Sequence, residues 1–191
     1  MSKTPIIIIT GLAGTGKTTL AEKLAKEFNL PFVYKDYFKE LIFDGLGWQD
    51  REWSKKVGNV SYDLLYFFVE SLLKTKKPFI VETNFRPKSA TEKFLDLKKK
   101  YDFTPIQIRC ITDGKILLDR FTKRANSPDR HPGHIDSENL EEFTPTLLQG
   151  KIEALDIGGE LFDIDTTDFD KVDYDGLVKA ISLMINTNLQ K

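Results

Sequence analysis

The chain has 191 residues, enough for one domain that buries roughly 70% of the surface its unfolded form exposes. Its 28 basic and 29 acidic residues leave a formal net charge of -1, which argues against a protein whose main business is holding long nucleic acid, because such proteins carry a basic excess. The single cysteine, Cys110, excludes an internal disulfide and a cysteine metal cluster, and the longest apolar runs, Ile6–Ile9 and Leu64–Val69, are too short to cross a bilayer. The first strand-like run starts too close to the N-terminus to leave room for a signal peptide, so the expected location is cytoplasmic.

In chain order, Ile6–Thr10 reads as a strand and Thr19–Phe28 as a helix with Leu20, Leu24 and Phe28 on one stripe. Between them lies Gly11-Leu12-Ala13-Gly14-Thr15-Gly16-Lys17-Thr18, a complete G-x-x-x-x-G-K-[ST] P-loop in the strand–loop–helix setting that its mechanism needs. The glycines let successive backbone N–H groups curl towards a phosphate, and the helix N-terminus behind them adds roughly half a positive charge. Gly11 through Thr18, with Thr19, are therefore expected to bind a nucleoside triphosphate. Lys17, in an exposed phosphate cradle, would reach the β- and γ-phosphates, and the Thr18 hydroxyl would sit on Mg²⁺.

Phe32–Tyr34 is a second strand, followed by Asp36, which suits either a helix cap or a catalytic carboxylate. Asp44–Arg51, with two glycines and Trp48, is either a wall of a substrate site or a surface turn. A helix from about Ser61 to Lys74 is apolar over a wide arc (Leu64, Leu65, Phe68, Val69, Leu72) and should be sandwiched between sheet and helices. Phe79–Thr83 is a third strand. Lys88–Lys100 should be a more exposed helix with Phe94, Leu95 and Leu97 inward and a solvated lysine-rich end.

Thr104–Cys110 is a fourth strand, in which Cys110 reads as a small core residue. Asp113 is placed to cap a helix that carries Ile116, Leu117 and Phe121 towards Arg124. The stretch 125–137, with two prolines, a glycine and no apolar periodicity, is a loop, either a bare connection or a functional lid. His131 and His134 within it lack carboxylate or cysteine partners at a metal-binding spacing. Leu161–Asp165 is a fifth strand, Asp165-Thr166-Thr167 a turn, and Tyr174–Asn186 a last helix. Alternating strands and helices specify an α/β fold with a parallel sheet, and the whole chain, 1–191, reads as a single domain.

Together these motifs resemble the P-loop kinases of the nucleoside-kinase-like group. Within it, the chain is similar to small kinases with an AAA-type P-loop, beside polynucleotide 5′-kinase domains, chloramphenicol phosphotransferase and zeta toxins. The resemblance implies a three-layer fold with five parallel strands in the order 2-3-1-4-5 and a mobile lid. It implies ATP and Mg²⁺ as ligands, Asp36 as general base, and Glu82 beside the metal with Thr18, where the family usually has aspartate. Lys39, standing where the family often has arginine, Asn84 and Arg86 would face the acceptor. Arg120 and Arg124, on one face of the lid helix, would serve the adenine and the phosphates, with Arg130 closing over the acceptor.

The reaction implied is transfer of the γ-phosphoryl group of ATP to a hydroxyl of a small molecule, with no membrane partner. A polynucleotide 5′-hydroxyl kinase is the second reading. A non-kinase ATPase switch is the third; it would normally carry a hydrophobic strand ending in a Walker B aspartate, and none is evident here.

Overall fold

The alternation of apolar runs with amphipathic ones becomes five strands and seven α-helices in the computed structural model, which describes residues 3–189. The strands are β1 (Pro5–Gly11), β2 (Phe32–Tyr34), β3 (Phe79–Glu82), β4 (Thr104–Ile111) and β5 (Glu160–Asp165). All pair in parallel, in the order β2-β3-β1-β4-β5, as expected. The helices are α1 (Lys17–Phe28), α2 (Lys35–Leu46), α3 (Arg51–Lys74), α4 (Pro87–Tyr101), α5 (Gly114–Ala125), α6 (Leu140–Leu147) and α7 (Tyr174–Leu189).

Strand periodicity sorts the core into two layers. On β1, Ile6 and Ile8 face Leu65, Val69 and Leu73 of α3 and Phe94 of α4, together with Phe79 and Val81 of β3. Ile7 and Ile9 face the other way, against Leu20, Ala21 and Leu24 of α1 and Leu177 and Ile181 of α7. A continuous apolar run buried on both faces is what a central parallel strand requires. Cys110 is fully buried in the second layer, and burial pushes its thiol up to about 12, as befits an unreactive core residue. A third, smaller cluster of Leu12, Leu117, Phe121 and Leu147 joins the P-loop to α5 and α6.

Register places the candidate site. Tyr34 pairs with Glu82, and Glu82 with Ile9, so β1, β2 and β3 end level with one another. The loops that follow them carry the P-loop, Asp36 and Asn84 to one edge of the sheet, where ligands of open α/β sheets bind.

Several boundaries differ from expectation. α3 starts at Arg51, ten residues before the expected Ser61. Its first turns are polar and contain Gly58, which hides the apolar stripe, but Asp50 caps them by accepting from the Trp53 N–H at 2.8 Å. Phe68 of α3 is exposed and stacks on Phe38 of α2, so this helix is covered on one side and not sandwiched throughout. Leu95 of α4 also points outward, because Ala90, Phe94 and Leu97 set the buried face and Leu95 falls about 100° from it.

Asp36 is not the cap of α2 but its second residue, the cap being Tyr34. Asp113 does cap α5, accepting from the N–H groups of Lys115 and Ile116. The stretch 125–137 holds short 3₁₀ turns at Pro132–His134 and, running just beyond it, Ser137–Asn139, and these lead into α6. α6 gave no sequence signal because it spans only eight residues and contains Pro145.

Candidate active site

The P-loop is shaped by three glycines. Gly14 and Gly16 have φ of +89° and +77°, the left-handed region that side chains with a Cβ avoid. At Gly11 a Cβ would meet Thr15 Oγ1 at 2.7 Å and the Cys110 carbonyl oxygen at 2.9 Å, so the backbone passes too close for any side chain. α1 begins at once at Lys17, with no side-chain cap and no acidic residue in its first turn. Its leading N–H groups and positive dipole end are thus presented to an anion.

Lys17 and Thr18 converge on Glu82 at the end of β3. The Lys17 ammonium lies 3.5 Å from one Glu82 oxygen, and the Thr18 hydroxyl donates to the other at 2.8 Å. Lys17, expected in an exposed cradle, is in fact buried, as is Glu82. Burial raises the Glu82 carboxyl above its ordinary value, with Asp36 adding to the effect, while Lys17 and Thr18 oppose it. A hydroxyl and a carboxylate side by side are a hard-oxygen pair suited to Mg²⁺, which takes few protein ligands and completes its shell with water and phosphate. Among the described residues no group of three or more His, Cys, Asp or Glu side chains could cage a metal by itself. The donor set therefore fits a metal that arrives with a phosphate ligand.

Asp36 faces this cluster from the first turn of α2, where the helix dipole favours negative charge. Its side chain is 39% exposed and pairs with Lys35 at 2.9 Å and Arg130 at 3.7 Å. Burial works to raise its carboxyl, but Lys35, His134, Arg130 and Lys17 outweigh it and hold the group well below the usual carboxylate range. One turn on, Lys39 donates to Ser54 Oγ of α3 at 2.9 Å, and its ammonium lies over the Phe43 ring. Burial, with help from Lys35, lowers Lys39 to about 8.

Asn84 accepts through Oδ1 from Tyr62 Oη at 2.8 Å and from Thr83 Oγ1 at 3.1 Å. Arg86, exposed, precedes α4. Lys17, Lys35, Asp36, Lys39, Glu82, Asn84 and Arg86 line one cavity of about 640 Å³ that runs from Ala13 to Arg51 and Lys93; Thr18 and the P-loop glycines do not line it.

The stretch 125–137 folds over the cavity and is tied to α2. Arg130 binds Asp136 through Nε and Nη2 at 2.8 and 2.7 Å, and its Nη1 lies 3.7 Å from both Asp36 and Glu40. His134 Nε2 and Glu40 Oε1 are 2.8 Å apart, and His131 Nε2 lies 3.1 Å from Asp44 Oδ1. The two histidines thus tether this stretch to α2, a role that their spacing could not disclose.

Arg120 and Arg124 leave α5 in different directions. Arg120 donates to the carbonyls of Thr166 and Thr167 at 2.7 and 2.8 Å, and its guanidinium stacks 4.2 Å over the Phe169 ring. Arg124 turns inward, where its Nε and Nη2 are buried with no hydrogen-bond partner among the described residues. Burial and Arg130 both lower its pKa.

Residues 6–147 match the family described as an AAA domain. The chain belongs to that family. A presumed kinase from Chloroflexus aurantiacus is 38% identical over 98% of this chain and 99% of its own, with a TM-score of 0.85. A gluconokinase from Sinorhizobium meliloti (15% identity, 100% and 99% coverage, TM-score 0.55) and a shikimate kinase from Acinetobacter baumannii in complex with shikimate (16%, 99% and 96%, 0.50) share the fold. No protein of curated function matches the chain.

Within this P-loop kinase fold, three contributors escaped the sequence reading. Lys35 was passed over beside Asp36, although adjacent opposite charges at a helix start were visible. Ser54 was hidden by the unrecognised start of α3. Phe169 packs so closely on Gly16 that a Cβ there would meet its ring at 2.5 Å, a contact across 153 residues with no local signal. Of the segment Asp44–Arg51, only Arg51 lines the main cavity. Trp48 instead packs edge-on against His131 and lines a separate recess beneath the lid.

Proposed function

We propose that this protein is a kinase that transfers the γ-phosphoryl group of MgATP to a hydroxyl of a small molecule. The observation that carries the reading is Asp36, a carboxylate kept ionised by surrounding cations, in the same cavity as Lys17 of the P-loop. The uncapped start of α1 and the Gly11–Thr18 backbone would hold the β- and γ-phosphates, and Lys17 would balance their charge. Thr18 and Glu82 would hold Mg²⁺, which when bound neutralises negative charge on the phosphate oxygens. Arg120, with the Thr166–Phe169 loop, is suited to the nucleobase.

In the reaction, the acceptor hydroxyl gives its proton to an Asp36 carboxylate oxygen as its own oxygen bonds to the γ-phosphorus. The bond from that phosphorus to the β–γ bridging oxygen breaks, and ADP leaves with the electron pair. Arg124, whose buried Nε and Nη2 lack partners among the described residues, and Arg130 are cations that lid movement can bring towards the charge spread over the transferring group. Asn84 and Arg86 would position the acceptor.

Asp36→Asn tests the reading. It keeps the side chain's size while removing its basicity, and general-base assistance typically contributes 10²–10⁴-fold. The expected result is near-normal MgATP affinity by calorimetry, a folded protein with a lowered melting temperature because the ion pairs to Lys35 and Arg130 are lost, and a kcat lowered by at least about 10²-fold. Wild-type turnover in this variant would remove Asp36 from the chemistry and revive the ATPase-switch reading.

A further inference from the structure

We infer that the acceptor carries an anionic group, a carboxylate or a phosphate, in addition to the hydroxyl that is phosphorylated, and that the Lys39 ammonium is its anchor. The inference rests on the phosphotransfer reading and deepens it by naming the acceptor's chemical class.

Lys39 is 6% exposed, yet its ammonium is bonded only to the neutral Ser54 hydroxyl and makes no ion pair among the described residues. A buried cation without a counter-charge is costly, so such a group needs either a partner or a ligand. Among the described residues no carboxylate pairs with it, and the Phe43 ring under the ammonium carries no net charge. Of the five carboxylates on the cavity wall, Glu82 is taken by Lys17, Asp36 by Lys35 and Arg130, Asp136 by Arg130 and Glu142 by Arg51, while Asp63 is exposed. Eight Lys and Arg residues line the same wall, and Arg86 and Lys93 also stand without ion pairs among the described residues.

A second, independent feature lies beside the ammonium. Gly58 sits inside α3, where glycine is less favourable than alanine. A Cβ there would meet nothing closer than Lys39 Cε at 3.9 Å and Nζ at 4.0 Å, so protein packing does not demand the glycine. The bare helix wall keeps open the space above the ammonium, on the cavity side. Asp36 and Lys39 are three residues apart on α2, hence neighbours on one face. A compact hydroxy acid or sugar phosphate can therefore offer its anionic group to Lys39 and its hydroxyl to Asp36 together.

The groups facing Lys39 are Lys35 and Asp36 from α2, Arg51 from α3, and His134 and Asp136 from the lid. Burial and the nearby cations lower Lys39 to about 8 in the free protein. Above that pH the ammonium loses its proton and its hold on an anion.

The experiment uses matched pairs: aldonic acids against alditols of equal carbon number, and sugar monophosphates against the parent sugars. Each is tested for ATP consumption and, separately, for binding by calorimetry, with the wild type and Lys39→Met. An apolar replacement for an unpaired buried charge is usually tolerated by the fold, and a melting curve checks it. The expected result is a preference for the anionic member of a pair, on the order of 10- to 100-fold in kcat/KM, carried by KM and largely lost in Lys39→Met. The wild-type kcat/KM for the anionic acceptor should fall above about pH 8, and this fall should be absent for neutral acceptors. The acid and phosphate arms reveal which anion the site takes.

Phosphorylation of neutral acceptors as efficiently as of their anionic partners would overturn the inference and leave the kinase reading standing. So would an anionic preference that survives Lys39→Met. If no pair supports phosphoryl transfer, anion binding that depends on Lys39 would retain Lys39 as an anion anchor, and the kinase reading would be decided by MgATP binding and the Asp36→Asn variant. Absence of such binding would discard the anchor and leave the kinase reading to that test.

Discussion

Lys17 and Glu82 illustrate how a short motif becomes a charged site. The motif places a lysine at the head of α1, but β3 supplies the carboxylate that meets it, and both groups are buried. Removing the lysine therefore does more than weaken phosphate binding. Lys17→Ala leaves Glu82 buried with only Thr18 donating to it, which should destabilise the fold by about 1–3 kcal/mol as well as abolish MgATP binding. Adding Glu82→Gln should recover most of that stability without recovering nucleotide affinity. Thermal melts and calorimetry on the single and double variants separate the two effects. Wild-type ATP affinity in Lys17→Ala would refute the phosphate-cradle assignment.

The lid is the element whose energetics are most exposed to test. Its grip on α2 includes Arg130 on Asp36 and Glu40, His134 on Glu40, His131 on Asp44, and close packing of Gly133 on Phe43. A Cβ at Gly133 would meet the Phe43 ring carbons at 2.5 and 2.6 Å, so Gly133→Ala should push the lid away from α2. Amide exchange over residues 125–137 should accelerate in this variant, with little change in the sheet. In the wild type the same amides should gain protection when MgATP and acceptor are both bound. Equal protection with and without ligands would make this stretch a connection only.

The lid should also respond to acid. Burial lowers His134 below its ordinary histidine value, although its bond to Glu40 and the Asp36 charge oppose the shift. A lowered value means that the open lid binds the proton more readily than the closed one. Closure is thus fully supported above the ordinary histidine range and weakens as pH falls from about 6.5 towards the depressed value. Lid protection measured from pH 7.5 to 5.5 should decline, and His134→Gln should flatten that decline.

For the molecule as a whole, charge decides between small and polymeric acceptors. The net charge is -1, and the cationic wall is confined to one cavity of about 640 Å³, a volume that suits a small ligand. Raising salt from about 50 to 200 mM should therefore change acceptor affinity only a few-fold, whereas a protein gripping 6–10 phosphates would lose roughly 10³-fold or more. A steep salt slope with single-stranded oligonucleotides would favour the 5′-hydroxyl polynucleotide kinase.

The sequence by itself determined the features that depend on consecutive residues. A phosphate cradle is local backbone geometry, so Gly11–Thr18 was legible, as were the apolar runs of the strands, the Asp113 cap and the stripe on α1. The strand order and the position of Asp36 beside the P-loop followed from the family resemblance, because a parallel sheet joins residues that share no local pattern. Tertiary structure alone decided which polar groups meet: Lys39 with Ser54 across 15 residues, Arg109 with Asp163 across 54, His134 with Glu40 across 94. Those contacts set which carboxylate is held ionised and which ammonium has no ion pair among the described residues. Burial and Coulomb interaction depend on distance through space, and distance through space is fixed only when the sheet has brought the loops together.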